Sequence, residues 1–335
     1  MTLRPSSAPR AVSLAGATLL LLALALAGSG CKSGYSSNSS DPESVSATSA
    51  LVAPQPFAPT AGVRSSRMLI PLAVGNRWDY RVRYSSAITT SSGPKPPFTG
   101  ESPLAVEITG TEHIGEHDYF LQSEFDPSQG GPGQSVFRER QDRTGLFDRD
   151  PPDAAARPLA VSAHPFAGEL SAYVERTVTD ASQREAFQRA AAAVAAKLAA
   201  TRQALAGAPG ATAGAGPGEI TLLRYPLFTG ARWIVRDSPR FARVVVGREP
   251  VQVPLRRFIA WRIRGTSELY GPDDRLVLWY SSAGLVRWRF HAVSPATDPF
   301  GNVIGTVTSD FDYSLTGLHL VAPGGGALAL SPEDE

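Results

Sequence analysis

The chain has 335 residues, with 32 Lys or Arg against 31 Asp or Glu for a formal net charge of +1, and 42% apolar residues against 19% charged. That is apolar enough to bury a core, which excludes a wholly disordered chain, and the near-neutral charge argues against a dedicated nucleic-acid binder. A single cysteine excludes a disulfide scaffold and any multi-cysteine zinc or iron–sulfur centre.

Arg4 and Arg10 are the only charges ahead of a Leu/Ala-rich run over 11–27, and the small residues Gly28, Ser29 and Gly30 follow it. A positive start, an apolar stretch and a small-residue cleavage site predict a secretory signal peptide over 1–30. The run is short of the about 20 residues that a membrane span needs. The lone cysteine, Cys31, stands at the cleavage point. This arrangement resembles the lipobox of bacterial lipoproteins, with Gly28 where that family favours Leu. The resemblance implies that Cys31 is acylated, becomes the new N-terminus and anchors the chain to a membrane; several acyl chains hold stably where one does not. Lys32, rather than Asp, follows the cysteine, which by the same resemblance implies the outer membrane, facing the periplasm. The competing reading is an ordinary signal peptide with an unmodified cysteine. Residues 31–66 are rich in serine and carry Pro42, Pro54, Pro56 and Pro59. They predict a flexible tether that holds the body roughly 30 Å from its anchor.

A single β-rich domain is predicted over 67–322. Trp78, Tyr80, Val82 and Tyr84 alternate with Asp79, Arg81 and Arg83, the pattern of a half-buried strand. Leu104, Val106 and Ile108 begin a second strand, and the turn residues of 110–115 lead into Tyr119, Phe120 and Leu121, which predicts a hairpin. Further strands are expected at 135–140, 241–246, 258–264, 276–280, 285–290 and 303–313. In the last of these, Val303, Val307, Phe311 and Tyr313 share a face. Strands at this spacing predict a mainly β fold: an antiparallel curved sheet, closed toward a barrel or a sandwich. The exception is 181–206. Asp180 caps it, Phe187, Ala191, Val194, Leu198 and Leu205 recur at helical spacing, and Gly207 stops it. One long amphipathic helix results, either packed over the curved sheet or presented to a partner. An Ala/Gly/Pro loop over 207–219 separates two halves, and 323–335 is an acidic tail.

Pro71-Leu72-x-x-Gly75-x-Arg77-Trp78 recurs as Pro226-Leu227-x-x-Gly230-x-Arg232-Trp233. The physics fits a strand start: Pro where pairing has not begun, Gly for the turn, Trp as the first inward anchor. The string 70–80, the segment from Val253-Pro254 to Phe258, and Trp279-Tyr280 followed by Gly284-Leu285-Val286 resemble a family of bacterial envelope lipoproteins with no assigned function. Leu255 and Arg256 replace two small residues usual in that family. The resemblance covers about 68–315. It implies a half-open β-barrel similar to the lipoprotein and lipid carriers of the envelope, with a concave face that takes an apolar ligand. Fold of this kind does not fix function.

Catalytic and metal motifs are sparse. There is no G-x-S-x-G elbow. Gly214, Gly216 and Gly218 lack the Gly-Lys-Ser/Thr of a phosphate loop. His113 and His117 fall in a hairpin turn, where four-residue spacing does not bring them together. Asp148, Asp150 and Asp153 surround Pro151-Pro152 and lack the Gly and Glu of a calcium loop. Charge is segregated, however. Residues 220–290 carry 13 Arg, no Lys and 5 acids, whereas 291–335 carry 6 acids and no Lys or Arg. Arg243, Arg262, Arg264, Arg287 and Arg289 therefore make either a face for an anionic partner, such as lipid phosphate or envelope polysaccharide, or the outer side of a solvated sheet.

The expectation is a non-enzymatic, lipid-anchored envelope protein without cofactor, metal or nucleic acid, binding an apolar or anionic ligand on its curved sheet. Trp78, Tyr80, Trp233, Trp261 and Phe311 either line the ligand site or form the core. The alternative is an assembly lipoprotein that meets an envelope protein through a sheet edge or the 181–206 helix. Replacing Cys31→Ser is expected to move the protein from the membrane to the soluble fraction of fractionated cells. Retention in the membrane would show that Cys31 is not the anchor.

Overall fold

Period-two alternation becomes strand almost everywhere it occurs. The computed structural model describes residues 70–129, 135–149, 166–206 and 218–321, all inside the unit Pro59–Glu335. Cys31, the signal sequence, the tether and the acidic tail lie outside the described residues. In chain order come β1 (Arg77–Thr90), the short β2 (Gly93–Pro94), β3 (Phe98–Ile114), β4 (His117–Phe125), β5 (Ser135–Gln141) and β6 (Gly145–Arg149). Two helices follow, α1 (Phe166–Thr177) and α2 (Ala181–Ala206). The chain then returns to strands: β7 (Glu219–Arg224), β8 (Arg232–Asp237), β9 (Arg240–Gln252), β10 (Arg257–Ser267), β11 (Arg275–Ser281), β12 (Gly284–Thr297) and β13 (Val303–His319). Along β1 every second residue, from Trp78 to Thr90, is buried, as a strand with one covered face requires.

Among the described residues these strands form one antiparallel sheet, curled into a nearly closed barrel. Its order is β7-β6-β5-β4-β3-β1-β13-β12-β11-β10-β9-β8, with β2 beside β1 off that path. The order is that of two six-strand meanders: one from β1 to β7, the other from β8 to β13. They join where β1 pairs with β13 along its whole length, Arg77 opposite His319 to Thr90 opposite Gly305. The other ends, β7 and β8, share no ladder but are bridged by side chains. Trp233 Nε1 donates to the Thr221 carbonyl at 3.1 Å. The Arg243 guanidinium, only 1% exposed, donates to the carbonyls of Leu222 on β7 and Ala204 near the end of α2.

Each meander opens on one copy of the repeated motif, and the two copies fold alike. Gly75 and Gly230 have φ of 91° and 89°. The Gly75 amide donates to the Ile108 carbonyl and the Gly230 amide to that of Val245, both at 2.8 Å. One residue later, Asn76 N bonds to Ala73 O and Ala231 N to Phe228 O, both at 3.0 Å. The tryptophan then turns inward in both. Trp78 Nε1 donates to the Ala283 carbonyl at 2.6 Å, matching the bond that Trp233 makes.

The helices pack on the concave face of the sheet. Asp180 caps α2 by accepting from Ser182 N at 2.8 Å. Phe187, Ala191, Val194 and Leu198 are buried, as their spacing predicts; the side chain of Leu205 lies outside the described residues. Phe187 approaches so closely that a Cβ on Gly305 would lie 2.5 Å from its ring. Lys197 Nζ reaches both Asp274 Oδ2 and the Val293 carbonyl at 2.7 Å, tying α2 to β12 and the turn before β11. In α1, Phe166 stacks edge-on against Phe311, with centroids 4.6 Å apart. Tyr84 donates to Glu169 at 2.7 Å, and burial with that bond pushes the Tyr84 phenol up to about 12. Among the described residues no helix is long and apolar enough to cross a membrane.

Several described elements go beyond the sequence reading, among them α1, β6 and β7. In β7 the five residues from Glu219 to Leu223 are all buried, so no alternation marks it. Val303 departs in the other direction: it is exposed where β13 starts, while Val307, Phe311 and Tyr313 are buried.

The left-handed turns generate a test. Gly75→Ala and Gly230→Ala each place a Cβ at positive φ and are expected to cost about 1–2 kcal/mol by urea denaturation. Gly168→Ala, inside α1 with open space around it, is expected to add roughly 0.5–1 kcal/mol.

Candidate functional site

Between α2 and the strands, the described residues leave a partly open cavity of about 120 Å³. Its walls carry the aromatic rings of Trp78, Tyr80, Phe137, Tyr280, Trp288 and Tyr313, with Leu104, Val106, Leu146 and Leu222 between them. Trp288 and Tyr313, neighbours across β12 and β13, stack with centroids 4.0 Å apart and planes 17° from parallel. Tyr80 Oη donates to the Leu285 carbonyl at 2.7 Å, so its ring is held against the turn that Trp78 also holds. Such a space is several times the ~10–15 Å³ that one water requires and close to the ~150 Å³ of an engineered cavity that takes benzene.

Four polar side chains enter this apolar wall: Gln122 and Glu124 from β4, Glu139 from β5 and Arg202 from α2. Arg202 Nη2 lies 3.6 Å from Glu124 Oε2, and its guanidinium stands over the Tyr313 ring at 5.9 Å. Glu139 has no hydrogen-bond or ion-pair partner among the described residues. It is half-buried and lines the cavity. Burial and, secondarily, the Glu124 charge push its carboxyl up to about 7. Burial also raises Glu124, against the pull of Arg202. The neighbouring phenols of Tyr80 and Tyr280 are raised by burial too.

The strands that place these acids are covered on both sides. Tyr119, Phe125 and Phe147 are buried. On the face away from the cavity, Arg140 holds Glu219 with Nε–Oε1 at 2.5 Å and Nη2–Oε2 at 2.7 Å, and Tyr119 donates to the same carboxylate. In Tyr119-Phe-Leu-Gln-Ser-Glu-Phe125 a hydrophobic-in rule sends Gln122 and Glu124 to solvent. With both faces buried, alternation no longer tells inside from outside. None of the four polar residues was singled out by sequence; the one available signal is an acid between aromatics in a strand.

No protein-family model matches the chain, and no curated protein matches it in sequence. Among solved structures, a candidate exported protein with a YmcC-like fold from Bacteroides fragilis is 12% identical, with a TM-score of 0.29 over 75% of this chain and 98% of that one. A likeness at this level carries no argument about activity.

All five expected aromatics are buried, but they part company. Trp78 and Tyr80 line the cavity. Phe311 is core beneath α1, Trp233 closes the gap beside β7, and Trp261 lies in the core cluster. The five arginines divide likewise. Arg243 does not belong to an outer face at all: it is turned inward onto carbonyls, and burial pulls its guanidinium below its ordinary range. Arg287 and Arg289 both pair with Asp312, with Nε–Oδ1 at 2.9 Å and Nη2–Oδ2 at 3.1 Å respectively. Burial works to raise the Asp312 carboxyl, yet Arg287, Ser314 and Arg289 outweigh it and hold the group below its usual range. Arg262 is 3.6 Å from Glu249. Arg264 is exposed and has no ion pair among the described residues. Most of that face is therefore neutralised by its own acids. His113 bonds to Asp118 across the hairpin at 2.8 Å, and His117 stands beside Tyr119 instead. Among the described residues no group of three or more His, Cys, Asp or Glu is placed to hold a metal. Asp150, Asp153, Gly214 and Gly216 lie outside the described residues.

Glu139 makes stability depend on pH. Its carboxyl is raised in the folded state above its unfolded value near 4.3, so the native state keeps a proton that the unfolded chain has lost. Its contribution to stability is therefore expected to fall as pH rises from about 4.5 to about 7 and to level off above that. Glu139→Gln is expected to flatten this slope and to add on the order of 2 kcal/mol at pH 8, by urea denaturation across pH.

Proposed function

We propose that the chain is an exported, lipid-anchored protein of a bacterial envelope, held at the outer membrane through Cys31, whose barrel binds a small ligand in its lumen without transforming it. The observation that carries the binding reading is the aromatic-walled cavity, a mainly apolar space with a few convergent polar groups. The leader, the cysteine and the tether support the address. Ligand size follows from the packing. The two helices occupy the concave face that a long acyl chain would use, so a compact molecule fits and a lipid tail does not. An anion is disfavoured as well, because two carboxylates face the space and only one of them has a cationic partner.

Less in the structure supports the assembly alternative. The apolar stripe of α2 is spent against the sheet, and the two ends of the sheet face each other, joined through Trp233 and Arg243. Native mass spectrometry of the protein, extracted from membranes in mild detergent, tests the binding reading. A 1:1 small-molecule adduct is expected, and it should disappear in Leu104→Trp, which fills the cavity. Repeated recovery of empty, folded protein would overturn it.

A further inference from the structure

We propose that the cavity ligand is a small organic ammonium ion, seated among the rings of Trp78, Tyr80, Trp288 and Tyr313 with its charge balanced by Glu139. This rests on the binding reading above and names the chemical class it takes. Two independent features point the same way. One is the wall: several aromatic rings around one partly open space, with a stacked indole–phenol pair on β12 and β13. Ring faces attract a cation, and they do so more strongly once water is excluded. The other is the charge count. Arg202 answers Glu124. Glu139 lines the same space with no hydrogen-bond or ion-pair partner among the described residues, and a carboxylate shielded from water without a counter-charge is costly.

The groups around Glu139 come from every element that packs against it. Glu124 is on β4, and Asp148, which has interactions of its own, is opposite it on β6. The phenols of Tyr80 and Tyr280 stand on β1 and β11, that of Tyr225 just past β7, and Arg202 on α2. Apart from Arg202, with its Glu124 partner, these are acids or neutral phenols. Arg243, the other buried cation near Tyr280, bonds to the Leu222 and Ala204 carbonyls and is not part of the lining. Among the cavity-lining residues, two carboxylates therefore face one guanidinium. A hard metal cation fits this room poorly, since calcium takes six to eight oxygen ligands, and the walls are rings and methyl groups. A soft, weakly hydrated alkylammonium ion needs only the ring faces and one carboxylate. Binding of such an ion displaces the proton that Glu139 otherwise holds near neutrality, so affinity is coupled to pH.

Three molecules of one shape form the test: choline, its uncharged isostere 3,3-dimethylbutan-1-ol and the anion 3,3-dimethylbutanoate. Binding is read by titration calorimetry and by the fluorescence of the wall tryptophans. Choline is expected to bind at least tenfold tighter than the alcohol at pH 8. It is expected to weaken by on the order of 30-fold at pH 5.5, as Glu139 takes up its proton, and to release a proton on binding near neutrality. Glu139→Gln, checked for folding by thermal denaturation, should remove the preference for choline over the alcohol and the pH dependence together. If the alcohol binds as well as choline, or Glu139→Gln leaves the preference intact, the ammonium assignment is overturned while the cavity reading stands. If none of the three binds, the cavity reading falls and takes this inference with it.

Discussion

A barrel must do something with its last edge. Here the gap between β7 and β8 is the constraint on which the remaining structure depends. The two meanders have two junctions to make. At β1 and β13 the backbone pairs over fourteen positions. At β7 and β8 there is no ladder, and buried carbonyls without donors are costly. Side chains supply the donors instead. Trp233 serves Thr221, and Arg243 serves both Leu222 and Ala204. Arg243 has no carboxylate partner in those bonds. It sits among carbonyls at the end of α2, where the helix dipole favours a cation, and beside Tyr280, which counters part of the burial cost.

Because Arg243 reaches α2 as well as β7, closing the barrel and filling it are one event. The helix is fixed at one end by Arg243 and along its middle by Lys197, which meets Asp274 and Val293. Gly305 lets Phe187 lie against the sheet. These anchors settle how much of the lumen is occupied and leave a small residue of space beyond the last turns of α2, near Arg202. The cavity is thus a remainder set by the length and seating of one helix.

Charge is sorted by the same geometry. On the outer side of β10 to β13, arginines and acids neutralise one another within a few ångströms. Among the residues that line the cavity, two carboxylates face one guanidinium. The first arrangement contributes little to stability, as exposed ion pairs do. The second is expensive, and the proposed ligand removes that expense.

By itself the sequence determined the strand-rich body, its antiparallel character, the position and cap of α2 and the repeated strand start. These rest on local rules: side chains of a strand alternate, a helix shows its stripe at every turn, and a glycine motif folds the same way twice. The likeness of the two starts, down to equal hydrogen bonds from Gly75 and Gly230, shows how far such rules reach. The site was another matter. Trp78 and Tyr80 were legible as inward aromatics, but nothing in the sequence singled out Glu124 or Glu139, Arg243 read as part of an outer face, and β7 gave no alternation at all. Each of these sits where both faces of the sheet, or its closing edge, are buried. Which side of a strand is the inside is a property of the sheet's curvature and of what fills it, and no residue or its neighbours in sequence carry that information. Only the tertiary structure decided it.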